Sequence, residues 1–472
     1  MDPAEARTRK LRDHKLRDQP ISRLLPSQAV PAVVTSLSTV LYSVVDMVFV
    51  GRLGTSALGA VSVSFPLFSV IGGIGLAFGI GAGNSVSRLL GAGRRDEAER
   101  VAAIAVISVL GLGVLIGIGG LRILERLLLR LGATGSILPS ALEYSRILVL
   151  GSVVTIVNMV LSGLARSEGN ASLSMVSMLA GTGANIVLDP LLIFGLRMGI
   201  AGAAAATVAA QMITLAILIL SSLRGRSVVR IRIRRFPRSS RALAAMVMDI
   251  LKIGIAPLVG SLLISVVIAL LNTAAREFGD HAVAAVGIVV RILSFGMFLV
   301  FGYSRGLRPV AAYNLGAGLR DRVRQASVQA TVTTGIFTSA FALVMLVFAP
   351  SVLAFFSSDP AVIAIGGRLL RSASLLFPLF GPQIVLVVLC QVSGLAVTAG
   401  VLALTRQGLF FCLFAAVLPR VFGLRGLILT PLAADAAVAC VFLLTFVLLF
   451  GRLKGALGAL RSPGSGSGVR RS

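Results

Sequence analysis

Asp46, Asn185, Asp189 and Thr207 are the side chains in this sequence best placed to do chemistry, because each interrupts a long apolar run. Asp46 stands in VLYSVVDMVFVG and Asp189 in GANIVLDPLLIFG. If those runs cross a bilayer, each acid costs roughly 3 kcal/mol to keep there and needs a reason. Asn185 precedes Asp189 by one helical turn, on the same face. Pro190 follows directly, and a proline inside a helix frees a backbone carbonyl and permits a kink. Thr207, in AAAATVAAQ, offers a hydroxyl, with Gln211 a turn further on, and Tyr42 lies one turn before Asp46. If these three segments meet, they form a polar pocket in apolar surroundings. A carboxyl pair shielded from water can bind and release a proton near neutral pH. Alternatively the oxygens of Asp46, Asn185, Asp189 and Thr207 could cage a Na⁺, a hard cation that prefers several oxygen ligands. The bland alternative is that both acids only hydrogen-bond neighbouring helices.

Other chemistries lack their residues. His14 and His281 fall in a tail and a loop, and Cys390, Cys412 and Cys440 sit in apolar segments at no metal-ligand or disulfide spacing. No nucleophile–base motif exists, so the chain reads as a non-enzyme without a cofactor or resident metal. The glycine-rich run GGIGLAFGIGAGN (72–84) follows no strand and has no Lys-Ser/Thr ending, so it is read as helix packing and not as a phosphate loop.

The elements that must position these residues are membrane helices. Of 472 residues, 56% are hydrophobic and only 13% charged, and the mean hydropathy is +0.97; a soluble surface cannot be built from that composition. Apolar runs long enough to cross a core of roughly 30 Å recur along the chain. They do not alternate as barrel strands would. The fold class is therefore an all-α polytopic membrane protein with twelve transmembrane helices. The first six fall near 26–50, 60–86, 101–121, 145–165, 172–195 and 200–222. The second six fall near 251–275, 283–307, 328–350, 370–396, 403–422 and 428–450.

The parts are a basic tail (1–23), an N-lobe (24–222), a basic linker (223–248), a C-lobe (249–451) and a second tail (452–472). The first tail mixes basic residues with Asp2, Glu5, Asp13 and Asp18 and has no apolar core, so it reads as neither a signal nor a transit peptide. The formal net charge of +26 is concentrated in the tails, the linker and alternate loops. That is the positive-inside pattern, with both termini cytoplasmic, and not a nucleic-acid footprint. Glu125, Glu143, Glu168 and Asp249 fall at helix ends, where solvation accounts for them. Asp435, nearer the start of the twelfth helix, has no assigned role.

The halves repeat. Leu90-Gly91-Ala92-Gly93 recurs as Leu315-Gly316-Ala317-Gly318, 225 residues on, and Ser162-Gly163-Leu164-Ala165 recurs as Ser393-Gly394-Leu395-Ala396. Pro31 precedes Asp46 as Pro257 precedes Asn272, by 15 residues. With six helices each, the lobes are parallel repeats about an axis along the membrane normal, an arrangement common in transporters. Asn272 replaces Asp46 and Leu418 replaces Asp189 in the second half, so the acid pair exists in the N-lobe only.

These residues together resemble the multidrug and toxic compound extrusion (MATE) family of antiporters, over about Pro31 to Phe450. The resemblance rests on Pro31, Tyr42 and Asp46-Met-Val-Phe-Val-Gly51; on Arg166-Ser-Glu-Gly-Asn170; on Asn185-Ile-Val-Leu-Asp189-Pro190; and on Gly199-Ile-Ala-Gly-Ala with Thr207 and Gln211. In the second half it adds Gly254-Ile-Ala-Pro257, Tyr313-Asn314-Leu-Gly-Ala-Gly318 and Arg406-Gln407. It implies a V-shaped, rocking pair of lobes that exports organic cations or amphipathic drugs in exchange for H⁺ or Na⁺. Asp46, Asn185, Asp189 and Thr207 match positions of N-lobe cation coupling, Tyr144 matches a tyrosine near them, and Pro31 matches a proline at a helix bend. Arg308 stands where family members often carry Gln, and the C-lobe acids of another branch have no counterpart. The expected form is a monomer in the cell inner membrane whose partners are the lipid bilayer and an amphipathic or cationic small molecule, with the substrate-binding residues unassigned. A flippase or exporter of lipid-linked precursors, of related architecture, is the alternative that Arg146 and Arg291 keep open; a non-transporting scaffold or receptor is the more distant one.

Overall fold

Long uninterrupted apolar runs, with polar residues confined to their ends, leave helix as the only way to satisfy every backbone group in a bilayer. In the computed structural model, which describes residues 16–131, 133, 135, 137–224 and 240–459, helices account for nearly all of the described residues, and no strand occurs among them. The N-lobe comprises α1 (Ile21–Gly51), α2 (Thr55–Gly91), α3 (Arg95–Arg130), α4 (Leu138–Leu150), α5 (Ser152–Ser167), α6 (Ala171–Pro190) and α7 (Gly199–Leu223). The C-lobe comprises α8 (Ser240–Arg276), α9 (Asp280–Gly316), α10 (Arg320–Ala354), α11 (Pro360–Ser374), α12 (Phe380–Val392), α13 (Ala396–Leu404) and α14 (Phe410–Ala459). Most of the basic linker, the start of the first tail and the end of the second lie outside the described residues.

Among the described residues, eight helices are long and apolar enough to cross a membrane, and ten segments are if each of two bent pairs counts as one span. Helix α8 lies where the seventh span was expected, and its described residues include the apolar stretch Val266–Arg276. Gly423, at φ 57° and ψ −139°, breaks the final run and so divides the eleventh span from the twelfth. Two expected straight spans are therefore bent: α4 meets α5 at 47° across Gly151, and α11 meets α12 at 43°. Sequence periodicity carries no signal for such bends: Gly151 keeps near-helical angles at the first, and the second is made over a short 3-10 turn at Phe377–Leu379.

The packing explains how the lobes sit. One hydrophobic core is shared: Leu24, Val86 and Leu90 of the N-lobe pack with Leu307, Val310 and Val388 of the C-lobe. Two further cores each belong to one lobe, around Leu124, Leu128 and Tyr144 in the first and around Leu271, Val286 and Leu353 in the second. The lobes are thus joined at the end that carries the linker and separate at the other, which makes the V. Along the seam α2 packs on α8 and α1 on α9.

At the joined end the approach is backbone to backbone. A Cβ on Gly91 would run into the Tyr313 carbonyl, and one on Gly316 into the Arg88 carbonyl. These are the paired glycines of the repeated Leu-Gly-Ala-Gly sequence, so the repeat is used symmetrically to seal the seam. Ser87 Oγ donates across it to the Pro309 carbonyl at 3.0 Å. The segment before α1 is strapped to the other lobe: Arg322 donates to the Gln19 carbonyl at 2.7 Å, and Asn314 Nδ2 to the Leu16 carbonyl at 3.2 Å. Leu16 in turn covers the end of α5, where a Cβ on Gly169 would meet it at 3.1 Å. One expectation is corrected here. Glu168, read as a solvated helix end, is only 3% exposed.

Candidate functional site

Helices α1, α6 and α7 do meet. α6 packs along both α1 and α7, and this brings the expected cluster together inside the N-lobe. Asp189 is fully buried and Asn185 is 1% exposed; the turn between them lets Asn185 Nδ2 donate to Asp189 Oδ1 at 3.0 Å. Tyr42 and Thr207 join α1 to α7 through a hydroxyl–hydroxyl hydrogen bond of 3.1 Å. Asp46 is half-buried and lies close enough to Asp189 for their charges to interact. Tyr144, buried on α4, is within electrostatic reach of Asp46, Tyr42 and Asp189. Its ring sits 6.2 Å from that of Phe68, and the adjacent Ser145 hydroxyl is bonded to Ser64 at 2.7 Å, which fixes α4 against α2.

What the cluster lacks is donors. Asp46 Oδ1, Asp189 Oδ2 and Asn185 Oδ1 are buried acceptor atoms with no hydrogen-bond partner among the described residues. Leaving such an atom unpaired costs about 1–3 kcal/mol, more if it is charged. A proton or a cation coordinated by hard oxygens would satisfy all three.

The prolines behave differently from one another. After Pro190, the helix loosens into a π-helical turn at Leu191–Gly195, the local consequence of the missing N–H. Pro31 lies within a helix that continues past it, and Thr35 Oγ1 returns a hydrogen bond to its carbonyl at 2.8 Å. Gln211 does not enter the cluster. Its side-chain oxygen accepts from the Thr155 hydroxyl and its carbonyl from Asn158 Nδ2, so it ties α7 to α5. Asp435 is half-buried on α14 and belongs to no part of this cluster.

The hydrogen bond between Tyr42 and Thr207 yields a prediction. Tyr42→Phe and Thr207→Ala should each cost about 0.5–1.5 kcal/mol, or two- to tenfold in cluster-dependent activity. The double variant should cost no more than either single one, because both remove the same bond. A double-mutant cycle on initial transport rates checks it, and strict additivity would exclude the bond.

A second polar group lies between the lobes, and sequence reasoning missed most of it. Arg166 on α5 and Arg305 and Arg308 on α9, with Asn84 on α2, line a half-open recess of about 40 Å³. Arg308 had drawn notice only as a departure from a family pattern. The usable signal was Arg305 and Arg308 three residues apart within one span, hence on one face. Arg146 and Arg291, which the sequence reading singled out, are exposed and line no part of the recess.

The MatE family model matches residues 31–191 and again 257–417, two copies displaced by 226 residues. The multidrug export protein MepA of Staphylococcus haemolyticus is 29% identical over 421 residues, 89% of this chain and 91% of that protein. Among solved structures, a MATE transporter in the bent conformation superimposes with a TM-score of 0.87 at 26% identity, covering 94% of this chain and 98% of that one. An outward-facing multidrug resistance MATE transporter of the MOP superfamily gives 0.86 at 27%, with the same coverage.

Proposed function

Because the chain belongs to the MATE family of multidrug efflux transporters, we propose that it is an antiporter that exports organic cations or other amphipathic compounds in exchange for H⁺ or Na⁺. It is a multi-pass membrane protein of the two-lobed class; the reading places it in the inner membrane with the basic linker and both termini in the cytoplasm, as the positive-inside pattern favours. The observation that carries the coupling is the set of unpaired buried acceptors on Asp46, Asn185 and Asp189.

The proposed cycle follows from what those residues can hold. With the lobes joined on the linker side, the V opens to the exterior. An entering cation neutralises charge between Asp46 and Asp189, which are costly to keep ionised together away from water. Asn185 keeps Asp189 in place, and the Tyr42–Thr207 bond couples α1 to α7. Neutralisation removes the reason for the three helices to keep their present spacing. The loosened turn after Pro190 gives α6 freedom to adjust, and the lobe equilibrium shifts by the difference in cation affinity between its two states. Substrate is released on the outside as the site is remade.

The test is export of tetraphenylphosphonium from proteoliposomes under an imposed gradient of either H⁺ or Na⁺. One gradient is expected to accelerate export at least about tenfold over no gradient, and an uncoupler to abolish a proton-driven signal. Export indifferent to both gradients would remove the antiport reading.

A further inference from the structure

The N-lobe cluster and the interlobe recess are unpaired in opposite senses. In the N-lobe cluster every orphaned atom is an acceptor. In the interlobe recess every orphaned atom is a donor: among the described residues Arg308 Nε and Asn84 Nδ2 are buried and have no partner, and Asn84 is only 6% exposed. The arginines are held by neutral groups at most. Arg166 donates to Ser174 Oγ at 2.7 Å and Arg305 to Ser36 Oγ at 3.3 Å. Among the described residues no carboxylate pairs with any of the three. Their charges act on one another across the recess. Each guanidinium carries five N–H donors in a planar fork, so most of the donor capacity here is unspent.

We propose that this recess binds the oxyanion headgroup (carboxylate, sulfonate or phosphate) of an amphipathic molecule. This deepens the transporter reading and rests on it, since it extends the substrate class from cations to anionic and zwitterionic amphiphiles. The size agrees. A water needs about 10–15 Å³ of such space, so about 40 Å³ accommodates a group of three or four heavy atoms. The chemistry agrees as well. Arginine forks match planar and tetrahedral oxyanions in paired charge-assisted hydrogen bonds, and Leu76 and Ile80 beside them offer apolar contact for the remainder of the molecule. The position adds a consequence. Arg166 comes from one lobe and Arg305 and Arg308 from the other, so a bound anion replaces mutual repulsion by a shared ligand. It thereby favours the state in which the lobes are joined on the linker side.

The test is equilibrium binding of tritiated taurocholate, an amphipathic sulfonate, to the full-length protein in nanodiscs of neutral phosphatidylcholine. Wild type is expected to bind saturably. The Arg305→Gln, Arg308→Gln double variant is expected to weaken binding at least about tenfold. Asn84→Asp, which sets a carboxylate among the guanidiniums without removing one, is expected to do the same. Helical circular dichroism and gel filtration establish that each variant is folded, and Asn84→Asp carries the comparison alone if the double variant is not. Competition by phosphatidylglycerol assigns the anion to a lipid headgroup, and competition by inorganic phosphate to a free oxyanion. Competition by neither assigns it to the amphiphile itself, and each of these keeps the site. No saturable binding of taurocholate, phosphatidylglycerol or phosphate to wild type overturns the proposal, as does undiminished binding in the folded variants. Gradient-driven export of tetraphenylphosphonium by wild type, read in parallel, separates failure of the anion site from failure of the antiporter.

Discussion

Asp189→Asn should bring gradient-driven export down to the level of protein-free vesicles while leaving the protein folded. The substitution keeps the size of the side chain and the oxygen that accepts from Asn185, so packing around a fully buried position is preserved. Removing a buried charge that has no ionic partner is neutral or mildly stabilising, so thermal unfolding should move little. What is lost is the ability to change charge. Driving a two-state equilibrium from 1:99 to 99:1 takes about 5.5 kcal/mol of differential binding. An amide that neither takes up a proton nor balances Na⁺ withdraws a large part of it. A loss of on the order of a hundredfold in initial rate under the coupling gradient is therefore expected, against a smaller loss in exchange without a gradient. The measurement is the ratio of those two rates for wild type and variant. An unchanged ratio would falsify the coupling role of the acid pair.

The second large effect is mechanical. Gly91→Val and Gly316→Val should each prevent the lobes from joining at the linker end, since a Cβ at either place would enter the opposing backbone carbonyl of Tyr313 or Arg88. Backbone cannot step aside as a side chain can. Overpacking of this kind costs about 1–3 kcal/mol per site, so the pair of substitutions should shift the lobe equilibrium by on the order of a hundredfold. Valine is an acceptable helix residue in a bilayer, which leaves each lobe intact. Ser87, fully buried at the seam and bonded to the Pro309 carbonyl, reports the change. In a background with Cys390, Cys412 and Cys440 replaced, Ser87→Cys should react with maleimide much faster once the glycines are substituted, and export should fall. Equal labelling with undiminished export would show that the joined state is not required.

Much of this was legible in the residues. The twelve spans followed from run length alone, because a bilayer makes twenty apolar residues mean a helix. The acid pair was legible because each carboxylate stood out against its surroundings and Asn185 lay one turn away. The Leu-Gly-Ala-Gly repeat gave the symmetry, though not its use. Three things could not be read. Glu168 is buried beside Gly169, which Leu16 covers from 153 positions away, a proximity that no local pattern encodes. Gln211 was expected beside Thr207, but it turns to Thr155, and helix rotation decides which. The arginine recess is assembled from three helices of two lobes, so only the pair on α9 left a trace in one segment.

The glycine seam also bears on how fast the molecule can work. Where two helices interlock through side chains, parting them means withdrawing each knob from its hole, and dispersion contacts are surrendered one group at a time along a rough path. Here bare main chain lies on bare main chain at Gly91 and Gly316. Attraction between such smooth surfaces is collectively appreciable yet falls off steeply with separation. A small outward tilt therefore forfeits nearly all of that glycine contact at once, leaving the Ser87–Pro309 hydrogen bond and the shared apolar core to be parted. At the two glycines the closure behaves as a pair of polished plates and not as a zipper.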